Sequence, residues 1–310
     1  MKPDDSSLET EQLTTVRAAA VALLNEGDGW TLRSSRIDDL MAAAKLRVAP
    51  MNAFDEGVIQ RYIRVAGRRI EEVLKKAISQ VRGLLDVHAD IVHVDTSVSA
   101  EKQNFVKLHE AGHNQLPHQK KLFRWLQDCD QHLADDTADL FEREANNFAR
   151  IALFQDDGFA KVMTQYDFGL KGPLKEGRKF GASAYASLRE YVRTNARACA
   201  LVVLDPLIIC PDRGAVADVR RIQISRSYQA QFGALVTPAT LTRADKLISC
   251  IPFGKARMSG PRTLRLSDRN GTPYEFIGEG FKTPHNTFIL IYAVRPVASQ
   301  SGFIIGSRAG

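Results

Sequence analysis

Two histidines and a glutamate stand in the order His109-Glu110-Ala111-Gly112-His113. Histidines four apart on a helix project from one face, so both imidazoles can reach a single ion. Zinc accepts neutral imidazole nitrogen, and three protein ligands leave a fourth position open for water or substrate. A glutamate directly after the first ligand can face that position and take a proton from the water. The pattern therefore predicts zinc hydrolysis, with His109 and His113 as ligands and Glu110 as the general base. The competing reading is two surface histidines on an amphipathic helix.

A third ligand must come from elsewhere, because the extended pattern with a further histidine is missing: positions 116 and 119 are Leu and Gln. His118 and His132 are conceivable. Glu144, in Phe141-Glu-Arg-Glu-Ala-Asn-Asn-Phe-Ala149, is the better candidate. Phe141, Ala145, Phe148 and Ala152 mark a buried helical stripe. Glu144 lies inside that stripe, whereas Glu142 and Arg143 lie outside it. A buried carboxylate is costly unless paired, and an ion would pair it; an Arg or a helix N-terminus is the alternative. Cys129, in the polar stretch Gln127-Asp-Cys-Asp-Gln131, could fill the fourth zinc position as a thiolate and hold the site latent. His93, Tyr166 and Tyr185 are candidates for stabilising an oxyanion.

Several elements must position these residues. Hydrophobic spacing predicts helices over 9–25, 58–78, 100–115 and 136–154. Two short strands, 81–87 and 90–95, read as a hairpin just before the His109 helix. An extended peptide substrate is expected to add as a strand beside 90–95. Gly169–Gly177 contains Gly and Pro and reads as a boundary. Short helices follow at 174–180 and 183–193. Strands are expected at 201–204, 207–210, 221–225, 246–250, 263–266, 274–277 and 287–294. Asn270-Gly271 is a hairpin signal between two of them. The fold class is thus α+β: a mostly helical N-terminal part with a small sheet, then an antiparallel-sheet domain.

The 310 residues suffice for two or three domains. No apolar run approaches the roughly 20 residues a membrane-spanning helix needs. The N-terminus is polar and acidic without an apolar stretch behind it, so the cytoplasm is expected. Four scattered cysteines (Cys129, Cys199, Cys210, Cys250) argue against a disulfide framework or a cysteine-rich zinc module. The net charge of +6 is uneven: from Lys161 onward 22 Lys and Arg face 10 Asp and Glu. A basic half suggests an anionic partner, nucleic acid first. Cations there alternate with aromatics: Arg226 with Tyr228, Phe253 with Lys255 and Arg257, Phe281 with Lys282. That combination suits single-stranded DNA.

The HEAGH pentapeptide followed some thirty residues later by Glu-Ala-Asn-x-Phe-Ala resembles the ImmA/IrrE zinc metallopeptidases, most specifically over residues 75–155. The resemblance implies that Glu144 completes the zinc site. It also implies a zincin-like peptidase domain (1–158), a helix-turn-helix-like region (159–197, through Phe180-Gly-Ala-Ser183 and Ala186-Ser-Leu-Arg189) and a C-terminal GAF-like sensor domain (198–310). Members cleave a partner helix-turn-helix repressor and so switch on DNA-damage or anti-phage genes. Those of CBASS operons share this layout and respond to single-stranded DNA. The alternatives are a non-enzymatic DNA-binding regulator with structural zinc, or a protease of broad specificity.

Overall fold

The computed structural model describes residues 7–33, 35–49, 83–86, 89–122, 135–211 and 214–297. The chain divides into two compact units, Met1–Tyr166 with Leu174–Ser187, and Asp167–Pro173 with Leu188–Gly310. Both are mixed in composition, and the α+β class holds. No described helix is long and apolar enough to cross a membrane.

The first unit begins with α1 (Thr10–Glu26), which buries Val16, Ala20, Leu23 and Leu24 along one stripe. Its N-terminus is closed by a capping box between Glu9 and Gln12. Helix α2 (Arg36–Ala43) and strand β1 (Arg47–Val48) follow; neither stands out in the hydrophobic pattern. Strands β2 (Gly83–Asp86) and β3 (Ile91–Val94) form the expected antiparallel pair. Asp90 turns between them with φ 51°, and the Asp86 carboxylate accepts from the Ala89 amide at 3.0 Å. The order β1-β3-β2 puts β3 in the centre, with β1 parallel to it. β1 pairs β3 at Ile91 and Val92, so an added strand cannot lie beside that part of 90–95, both edges being already paired there. The expected helix over 58–78 lies outside the described residues.

Helix α3 (Ala100–Gln115) starts at Ser99, whose hydroxyl accepts from the Lys102 amide. It ends where Leu116 turns extended (ψ 110°) ahead of Pro117, because a residue before proline is driven out of the helical region. The chain re-enters helix over 117–122. Helix α4 (Asp135–Phe154) packs on α1 and α3. Gly112 is the contact point. A Cβ there would sit 3.1 Å from Phe148 Cβ and 3.2 Å from Ala145 Cα, so glycine lets the two helices close together. Beyond α4 come α5 (Gly158–Met163) and α6 (Lys171–Lys179), the latter helical through most of the stretch read as a Gly/Pro break. Pro173 fits because it stands in the first turn, where its missing N–H costs nothing. Helix α7 (Ala184–Thr194) follows a short turn at Gly181. Arg36 is buried in this unit. Its guanidinium donates to the carbonyls of Ala152, Leu153 and Phe180 at 2.9–3.0 Å, closing the end of α4.

The second unit is built on a curled antiparallel sheet, β5-β6-β4-β10-β9-β8. Its strands are β4 (Cys199–Leu204), β5 (Ile208–Cys210), β6 (Gly214–Ile224), β8 (Arg262–Ser267), β9 (Pro273–Lys282) and β10 (Thr287–Pro296), with the short β7 (Thr240–Leu241) on β6. Asn270-Gly271 forms the β8–β9 turn, Gly271 with φ 81°. Strand β4 is buried throughout, as its continuous apolar run demands. Helix α8 (Arg226–Phe232) adds Tyr228 and Phe232 to the core. The strand expected at 246–250 is instead a 3-10 helix, Lys246–Cys250. Leu247 and Cys250 are its buried residues, a spacing of three rather than the two of a strand. The Asp245 carboxylate accepts from Thr242 just ahead of it, favouring a turn there.

Candidate metal centre

The run Leu108–Asn114 of α3 is wholly buried. His109 is 1% exposed, Glu110 5% and His113 7%. The two Nε2 atoms lie 3.2 Å apart, with the rings edge to face. The third group beside them is Glu142, not Glu144. Its Oε2 is 3.4 Å from His109 Nε2 and its Oε1 is 3.7 Å from His113 Nε2. These three residues form the one cluster among the described residues able to hold a metal ion. A tetrahedral ion with bonds of about 2.0–2.2 Å has ligand atoms roughly 3.3–3.5 Å apart. The triad has the donor types for it, and its contacts of 3.2, 3.4 and 3.7 Å bracket that spacing, the two from Glu142 being made by different oxygens.

Glu144 takes a different place. Its Oε2 accepts from Gln119 Nε2 at 2.5 Å and pairs with His118 Nε2 at 2.7 Å. The expectation of a metal role for Glu144 rested on burial and on the family resemblance, and Glu144 is indeed the more buried, its side chain 6% exposed against 27% for Glu142. Burial favours a carboxylate already paired with protein donors. A ligand facing an open coordination position keeps some access to solvent. The sequence signal for Glu142 was the small-residue line: Glu142 lies one turn before Ala145, where α4 meets Gly112. His118 is held by Glu144, and the alternative ligand His132 and the latch residue Cys129 lie outside the described residues.

Charge in the site is set by burial and by the triad itself. Burial lowers the pKa of His113 to about 4, helped by repulsion from His109. Glu142 stays ionised, with a pKa of about 2: burial opposes its charge, but the hydrogen bond and charge of His109 outweigh it. His109 is likewise disfavoured by burial, yet Glu142 and Glu110 hold its pKa above the ordinary value. Neutral His113 and anionic Glu142 are the forms a metal needs, while His109 must give up a proton. Burial pushes the carboxyl of Glu110 up to about 7, with the charge of His109 acting the other way. Its carboxylate accepts from the Leu85 amide, which ties β2 to the site. Among the described residues, β2 pairs only with β3.

Of the other candidates, His93 lies on β3 and is largely buried, and burial lowers its pKa. The Tyr166 hydroxyl is committed to Glu176 at 2.5 Å. Tyr185 is half-buried at the start of α7. In the second unit, Tyr228 is buried in the core, and Phe281 is half-buried with its ring stacked on Phe288. Phe253 is 53% exposed beside the exposed Lys255 and Arg257. Cys199 and Cys250 are buried, as expected of core residues.

No family model matches the chain, and no curated protein matches it. Among solved structures, a Mycobacterium tuberculosis transcriptional regulator is similar at 13% identity and a TM-score of 0.46, over 90% of this chain and 76% of that one. A likeness so distant carries no argument about what this chain does.

Proposed function

We propose that this protein is a zinc endopeptidase whose ion is held by His109, His113 and Glu142 and whose general base is Glu110. The observation that carries this reading is the convergence of two imidazole nitrogens and one carboxylate at 3.2–3.7 Å, with a buried carboxylate next in sequence to the first of them. A zinc ion there supplies Lewis acidity toward a carbonyl oxygen and makes water nucleophilic near neutral pH. Glu110 takes the proton of the attacking water on its carboxylate and returns it to the leaving amine. Burial raises that carboxyl to about 7 in the metal-free protein, and the charge of a bound zinc ion would lower it toward the ionised form a general base needs. The Leu85 amide keeps that carboxylate aimed. The substrate chain adds along the outer side of β2, the edge that no described strand pairs.

The substrate is a partner helix-turn-helix repressor, cut at one site to release stress or anti-phage genes, and single-stranded DNA is the activator. The resemblance to ImmA/IrrE peptidases supports the first part, and the basic C-terminal half with Phe253, Lys255 and Arg257 supports the second. On the same reading, the zincin-like peptidase domain spans 1–158, the helix-turn-helix-like region 159–197 and the GAF-like sensor domain 198–310. The test is incubation of the zinc-loaded protein with a helix-turn-helix repressor encoded by a neighbouring gene, once one is identified, with and without single-stranded DNA. A single cut that needs both zinc and DNA is expected. An intact partner under all conditions rules the repressor reading out, and general degradation of unfolded casein points to a broad-specificity protease instead.

A further inference from the structure

We propose that Gln119 and Glu144 are positioning residues that fix the tautomer of His113, leaving its Nε2 lone pair turned toward His109 Nε2 and Glu142. This deepens the metal reading above and rests on it. Three pieces of chain meet here: α3 carrying His113, the helical turn 117–122 carrying His118 and Gln119, and α4 carrying Glu144. The break at Leu116-Pro117 is what folds Gln119 back onto the end of α3.

Gln119 is fully buried. On one side its amide faces the Glu144 Oε2 at 2.5 Å and the Phe141 carbonyl at 3.4 Å. A backbone carbonyl only accepts, so the group facing Phe141 and, beside it, the Glu144 oxygen is the NH2. The amide oxygen must then face His113, and it lies 2.6 Å from Nδ1. An amide oxygen only accepts, so Nδ1 carries the hydrogen. A neutral imidazole has one N–H, which leaves Nε2 bare. His118 Nε2, 2.7 Å from the same Glu144 oxygen, holds the far end of the chain. Histidine ligands of metals are held in this manner, the outer partner setting the ring's tautomer and angle, and its loss costs about 10–100-fold in metal affinity.

The test uses the full-length chain. Zinc affinity is measured by competition with a chromophoric chelator, and the His113 tautomer by nitrogen-15 spectra of the chelator-stripped protein. Wild type is expected to show the Nδ1–H tautomer and tight zinc binding. Gln119→Met should lose that tautomer and about 10–100-fold in affinity. Glu144→Gln can present NH2 as readily as oxygen to Gln119, so it should weaken the tautomer preference and lose less zinc affinity than Glu142→Ala. The proposal is overturned if Gln119→Met keeps both tautomer and affinity. It is also overturned if Glu144→Gln loses as much zinc affinity as Glu142→Ala, which would make Glu144 a direct ligand. Should Gln119→Met not fold, the wild-type spectrum decides alone: an Nε2–H tautomer refutes the proposal. Wild type that binds no zinc removes the metal reading itself, and the proposal with it.

Discussion

Glu110 should destabilise the metal-free protein, and Glu110→Gln should relieve that. The carboxyl is 5% exposed, and burial lifts its pKa from 4.5 to about 7. Below pH 4.5 the group is protonated in both folded and unfolded chains and has no effect on folding. Between pH 4.5 and 7 the unfolded chain loses the proton while the folded chain retains it, so folding weakens as pH rises. The rise from 4.5 to about 7 corresponds to about 3 kcal/mol once pH exceeds 7. Glutamine has no charge to bury and can still accept from the Leu85 amide. For a unit of this size that energy amounts to roughly 6–12 °C in Tm. The assay is thermal melting of both proteins in chelator from pH 4.5 to 8. The first-unit transitions should coincide at pH 4.5 and separate progressively, the variant melting higher. Saturating zinc should narrow the gap, because the cation compensates the carboxylate charge. A gap that does not change with pH, or a wild type more stable at pH 8, refutes the reasoning.

Zinc binding should release a proton from His109, whose pKa Glu142 and Glu110 raise. Affinity should therefore fall about tenfold per pH unit on acidification below that pKa, and a pH-independent affinity between pH 5 and 6 would contradict it. Gly112→Ala places a Cβ 3.1 Å from Phe148 Cβ and 3.2 Å from Ala145 Cα. Overpacking should cost about 1–3 kcal/mol, offset by up to about 1 kcal/mol of helix propensity. Zinc affinity should fall as α4 carries Glu142 away; calorimetry showing an unchanged affinity and a higher Tm would refute that. Arg36→Met leaves three buried carbonyls without their donor and should cost about 3 kcal/mol or more in denaturant melts. A cost under about 1 kcal/mol would mean that water replaces the guanidinium.

The ligand pair was legible because two histidines four apart on a helix share a face whatever surrounds them. The β2–β3 hairpin, α3 and α4 were legible from periodicity for the same reason: the signal is local. Glu142 was not, because whether a residue faces α3 depends on how closely two helices approach, and Gly112 with Ala145 sets that distance. Gln119 was invisible for a related reason, since it acts only after the Leu116-Pro117 break returns it to His113. The 3-10 helix at Lys246–Cys250 was misread because a short apolar run fits a strand or a turn of helix equally well. Helix α2 was missed because only eight residues carry its pattern, and what anchors it is Arg36 reaching the carbonyls that end α4.

The most direct test is cleavage of the partner repressor by wild type and Glu110→Gln with single-stranded DNA present, with zinc content measured in the same samples. Wild type should hold one zinc per chain and cleave. Glu110→Gln should hold one zinc and cleave about 10²–10⁴-fold more slowly. Cleavage by Glu110→Gln at the wild-type rate, or a wild-type chain that holds no zinc, would contradict the assignment of His109, His113, Glu142 and Glu110 to a hydrolytic metal site.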